Sequence, residues 1–240
     1  MAPPLVLVAA SGLAREVLAL LRLHPTHDVV GMLDDDPARA GTAVDGVPVL
    51  GGLGAVTGLR EVQLLVCAGR GAVRELLVQR LSTLGVSGER YATVVHPGVE
   101  LAPGCSVGRG SIVLAGTVLT AAVTVGEHVV VMPHATLTHD DVVEDYATVC
   151  AGVQLAGGVR VGRNAYLGTG ASVREGVRVG DGSTLGMGAA LLCDLPAGRT
   201  WAGVPARELR SGTASATTAH DMTRTIGADA ASDEQKAGAA

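Results

Sequence analysis

The chain has 240 residues with 23 acidic and 18 basic side chains, a formal charge of −5, and only Lys236 among the basic residues is not arginine. That length holds a sizeable core and two domains, and the charge balance excludes the basic surface of a nucleic-acid-binding protein. Thirty-four glycines, no phenylalanine and 2% aromatic residues exclude an ordinary aromatic-filled core and point to something narrow and repetitive.

No apolar run reaches the roughly 18 residues of a membrane helix, and residues 1–10 lack a basic leader with a cleavage pattern. A cytoplasmic protein is expected, with neither a membrane nor a nucleic acid as partner. Cys67, Cys105, Cys150 and Cys193 form no CxxC pair, which argues against a disulfide framework and a zinc knuckle and leaves them as small buried hydrophobes.

Residues 5–9 (LVLVA) predict a strand, and ASGLAREVLALLRL follows with apolar side chains at 13, 17, 18, 20 and 21, a helical spacing. A second strand, 29–33 (VVGML), ends in Asp34, Asp35 and Asp36 ahead of Pro37. A third, 62–67 (VQLLVC), leads through AGRG into the helical AVRELLVQRL. Strands alternating with helices predict a small parallel α/β domain over 1–90.

From Val95 the pattern changes. Every sixth residue through Leu191 is Val or Leu, seventeen in succession, and the position four later is nearly always small. That is the hexapeptide signature of a parallel β-helix: a large and a small side chain alternate inward while glycine and polar residues take the corners. Three hexads make a coil, so residues eighteen apart stack at about 4.8 Å, and nearly six coils give a prism on the order of 27 Å long. The prism domain is expected over 91–210 and a disordered tail over 211–240, which has no apolar periodicity.

In this frame the stretch TLTHDDVVED places Leu137 inward, His139 and Asp140 at a corner, and Asp141 at the small inward position. Asp141 is the only charged residue at any of the seventeen small positions. A carboxylate there is costly unless it is hydrogen-bonded or paired.

Several stretches carry a resemblance to a known family: LVLVAASGLAREVLALL, LDDDP, GVPVLGG, YATVVHPG, LTHDDVVEDYATVCAGVQLAGGVRVG, TGASV and AGVPAR. Over residues 1–210 the chain resembles the bacterial nucleotide-sugar acetyltransferases of the NeuD and PglD type. The resemblance implies a Rossmann-like N-terminal domain that binds the nucleotide sugar, then a left-handed β-helix, a homotrimer, and acetyl-CoA bound between neighbouring prisms. It also implies that His139 is a general base taking a proton from the attacking amine or hydroxyl, with Asp140 orienting its ring. Histidine suits the task because an ordinary imidazole is largely neutral yet basic near neutral pH.

Gly157, eighteen residues after His139, and Gly158 beside it are expected to let the pantetheine arm approach the backbone, with the Gly157 amide available to the thioester oxygen. Thr148 stands where many family members carry a second histidine against the acetyl group. At the N-terminal turn Ser11, Gly12, Asp34 and Asp35 are the expected nucleotide-sugar contacts, with backbone amides at the helix start facing the diphosphate. A full GxGxxG is absent, which argues against a dinucleotide.

The favoured activity is acetyl-CoA-dependent N-acetylation of a nucleotide-linked amino sugar. O-acetylation of a sialic-acid-like sugar or another hydroxyl is the alternative. A γ-type carbonic anhydrase has a similar prism, and His134 and His139 have the spacing of two of its zinc ligands, but the third position falls on Gly98 or Pro103; no metal is expected. A non-catalytic nucleotide-sugar-binding protein is the remaining reading.

Overall fold

A computed structural model describes residues 2–209, so the expectation for the tail lies outside the described residues. Strand β1 (Pro4–Val8) lies between β2 (Asp28–Leu33) and the strand Gln63–Val66, all parallel. The central strand reads LVLV because both its faces are covered. Helix α1 (Gly12–Leu23) lays Val17, Leu18 and Leu21 against Leu5, Leu7 and Leu65. On the other face Leu81 of α2 (Gly71–Thr83) packs with Val6, Val8 and Val66.

Beyond it stands the predicted prism of two-residue strands, paired in parallel at a spacing of eighteen residues through most of its length, as Thr124 with Val142, Val130 with Thr148 and Thr136 with Gln154. The inward row is buried from Val113 to Leu191, while Leu101 in the first coil is 47% exposed. The backbone repeats with the side chains: every sixth residue from Gly104 to Gly188 has a positive φ, fifteen in succession. Nine of these are glycine; Ala122, His128, His134, Asp140, Tyr146 and Asn164 hold the same left-handed conformation with a side chain.

One prism face is covered by the α/β region. Ile112 and Val130 share an apolar core with Leu5, Leu7 and Met32. At Gly71 the start of α2 comes so close that a β-carbon would lie 2.0 Å from the Tyr146 carbonyl oxygen. One turn on, Arg74 is fully buried and has no carboxylate partner among the described residues. Its guanidinium donates instead to the carbonyls of Ala68, Gly69, His128, Tyr146 and Ala147 at 2.8–3.0 Å, and to Thr148 Oγ1 at 3.0 Å. Glu75 adds an ion pair with Arg163 at 2.6 Å. Among the described residues no helix is long and apolar enough to cross a membrane.

Candidate active site

His139 and Asp140 form the corner between the strands Thr136–Leu137 and Val142–Val143. Asp140 takes the left-handed position, φ +64°, which aspartate tolerates better than most residues. Both side chains are about two-thirds exposed, and Nδ1 of His139 lies 2.9 Å from Oδ2 of Asp140. A carboxylate only accepts, so Nδ1 carries the hydrogen and Nε2 keeps a lone pair. The arrangement is that of an oriented base.

Gly157 lies one coil along beneath that ring. A β-carbon there would sit 2.3 Å from His139 Nε2 and 2.4 Å from Cε1. In this structure the imidazole occupies the space directly over Gly157, the residue expected to admit a pantetheine arm. The Gly158 amide is also spent, donating to the His139 carbonyl at 2.8 Å. What remains open is the edge beyond: a β-carbon at Gly158 or Gly176, one and two coils past Asp140, would meet nothing within 4 Å. A thin chain laid along that edge meets no side chain at either corner.

Asp141 is fully buried inside the prism. Its Oδ1 accepts the Val159 amide and its Oδ2 the Thr138 amide, each at 2.8 Å, so the inward carboxylate is satisfied by backbone donors. Burial pushes its pKa up to about 6, while the two amides and His139 pull the other way.

Thr148 is 3% exposed, on the face covered by the α/β region. Its hydroxyl donates to the Gly69 carbonyl at 2.9 Å and accepts from Arg74. Within this chain the side chain expected near the acyl group is engaged at the interface with α2.

The N-terminal turn gathers most of the other predicted residues. Ser11 caps α1, accepting the Ala14 amide at 3.3 Å, and donates to the Cys67 carbonyl at 2.5 Å. Asp34 accepts the Ala10 amide at 2.8 Å and the Asp36 amide at 2.9 Å. Gly12 faces open space. Asp35 turns elsewhere, to the Leu53 amide at 2.9 Å and Arg80 at 2.7 Å. The Leu53 amide, with Arg80, holds its carboxyl below the usual range against the effect of burial. Arg39, which the sequence did not single out, donates to the Ala10 carbonyl and closes the same turn. The site lies at the carboxyl ends of a parallel sheet, where such folds bind ligands.

A family profile described as the hexapeptide repeat of succinyl-transferase matches residues 158–193. Among solved structures, PerB from Caulobacter crescentus in complex with CoA and GDP-perosamine superposes with a TM-score of 0.79 at 32% identity, over 86% of this chain and 97% of that one. The acetyltransferase domain of PglB from Neisseria gonorrhoeae gives 0.78 at 30% identity over 86% and 100%. The chain belongs to the hexapeptide-repeat acetyltransferase family, with its left-handed β-helix.

A further neighbour, WeeI from Acinetobacter baumannii, gives 0.75 at 28% identity over 85% and 99%. A search of curated proteins finds no match. Among the described residues, no group of three or more His, Cys, Asp or Glu side chains is placed to hold a metal ion. As a member of this family the chain is an acyl-transferring enzyme.

Proposed function

We propose that this acetyltransferase moves an acetyl group from acetyl-CoA to the amino group of a nucleotide-linked amino sugar, with His139 as general base. The observation that carries the reading is the His139 ring, held through Nδ1 by Asp140 at 2.9 Å with Nε2 left to accept a proton at an exposed corner. As the amine nitrogen adds to the thioester carbonyl carbon, Nε2 takes its proton. The tetrahedral intermediate then collapses: the C–S bond breaks, the amide C–N bond remains, and the CoA sulfur leaves and takes up the proton. Asp140 steadies the imidazolium while it exists.

The solved relatives support the donor and acceptor: a PglB acetyltransferase domain in complex with acetyl coenzyme A, and a GDP-perosamine N-acetyltransferase in complex with CoA and GDP-perosamine. We assign the nucleotide to the 1–90 domain, at Ser11, Gly12 and Asp34, and acyl transfer to the prism, 91–210. Asp35, tied to Leu53 and Arg80, borders that site. The acting form is a homotrimer, which gives the exposed corner a second wall.

The test is thiol release from acetyl-CoA with a panel of UDP-, dTDP- and GDP-linked amino sugars beside hydroxyl acceptors. Turnover of an amine, and a loss of at least about 10²-fold in His139→Ala, is expected. Turnover of hydroxyl acceptors alone overturns N-acetylation in favour of the O-acetylating, NeuD-type reading. Full activity in His139→Ala removes the base.

A further inference from the structure

From Gly108 to Arg174 every sixth backbone amide donates to the carbonyl seventeen residues on, as Thr120 to Leu137, Glu144 to Val161 and Ala156 to Val173, with one exception. The exception is Thr138. Its amide turns away to Asp141 Oδ2 at 2.8 Å, and its hydroxyl takes the Leu155 carbonyl, at 3.1 Å, that the amide has given up. The Asp141 amide closes the same four residues from the other side, donating to the Thr138 carbonyl at 3.4 Å. The turn so clamped is Thr138–His139–Asp140–Asp141, the one that carries the candidate base.

The inward carboxylate therefore has two separable tasks. Oδ1 holds the Val159 amide, eighteen residues on, and Ser111 does the same for Val129 at 2.9 Å with a neutral hydroxyl. A serine at 141 would serve that task without the desolvation cost of a buried carboxylate. Only the second oxygen reaches back to Thr138.

Resting on the reading of His139 as base, we propose that Asp141 is a positioning residue. By taking the Thr138 amide out of the ladder it locks the corner turn and fixes the direction in which the imidazole leaves the backbone and lies over Gly157. Asp140 holds the ring from outside the prism; Asp141 holds its backbone from inside.

Asp141→Ser separates the tasks, keeping an acceptor for Val159 and losing the clamp on Thr138. The expected result is a kcat lowered at least about tenfold, with the KM values for acetyl-CoA and the sugar within about twofold and the thermal midpoint little changed. A crystal structure of the variant is expected to show the Thr138 amide back on the Leu155 carbonyl and the His139 ring moved off Gly157. An unchanged kcat with the ring still over Gly157 overturns the proposal, as does a fall in stability with kcat intact. If wild type acetylates no acceptor, the functional reading fails, and the ring position in the variant still decides the positioning role. If Asp141→Ser does not fold, Thr138→Val decides instead. It leaves the Leu155 carbonyl without its hydroxyl donor and draws the amide back to the ladder, so a several-fold loss of kcat is expected, and none refutes the clamp.

Discussion

The imidazole of His139 and a side chain at Gly157 exclude one another, since a β-carbon built on Gly157 lies 2.3 Å from Nε2. The nearest obstacle is the ring, and Gly157 is not among the residues with positive φ, so alanine is conformationally tolerated there. Gly157→Ala is expected to leave the thermal midpoint within a few degrees of wild type and to displace the base, lowering kcat by at least about tenfold. Full activity in this variant would show that the observed ring position is not the working one.

The corner that carries His139 was legible because a period of six fixes which way each side chain points: Leu137 and Asp141 are buried as the register required, and His139 stands out. The direction of the ring over Gly157 was not, since the register gives the coil but not the rotamer. Arg74 was invisible for a different reason. Its carbonyl partners at His128 and Tyr146 lie one coil apart, and only the docked fold brings them to one guanidinium. On the same helix Val73 and Leu76 are about half exposed, the reverse of what their types lead one to expect. Thr148 lies nine residues, one and a half hexads, past His139, which carries it to the face that α2 covers.

At the N-terminal turn, Asp34 fastens β1 to the end of β2 by accepting the Ala10 and Asp36 amides. Ala10 is only 4% exposed, so losing that acceptor leaves a shielded amide unpaired and the turn loosened. Asp34→Ala is expected to raise the KM for the nucleotide sugar about tenfold while the KM for acetyl-CoA stays put, because the proposed function assigns this turn to the sugar substrate alone. Equal rises for both substrates, or none, would remove the nucleotide from this turn.

Replacing Arg74 is expected to have the largest effect on stability. Arg74→Met strands five carbonyls that now receive its hydrogen bonds, at a cost of about 3–5 kcal/mol. Arg74→Lys keeps the charge but brings at most three donors on a single nitrogen, and is expected to fall between the two. Urea unfolding measures the difference; a change below about 1 kcal/mol in Arg74→Met contradicts the role given to this residue.

Two buried groups bear on acid stability in opposite senses. His128 is enclosed by Tyr91 and Tyr146, and its Nδ1 has no partner among the described residues. Burial, and then the nearby Arg74, pushes its pKa down to about 4. Its folded pKa lies below the unfolded 6.5, so the unfolded chain takes up the proton first. Stability is lost as the pH falls from about 6.5 to about 4, by about 3 kcal/mol. Asp141, raised to about 6 from 3.8, binds its proton more tightly when folded and returns a similar amount over nearly the same interval. These two contributions largely cancel in wild type, and the variants are expected to tilt the balance. Asparagine tolerates the left-handed backbone at 128, φ +53°, and does not titrate. His128→Asn loses packing at neutral pH, but its deficit relative to wild type shrinks on acidification. Asp141→Ser moves the other way, losing ground to wild type as the pH falls. Thermal midpoints at about pH 7 and about pH 4.5 measure both, and parallel shifts in the two variants would refute the opposed pair.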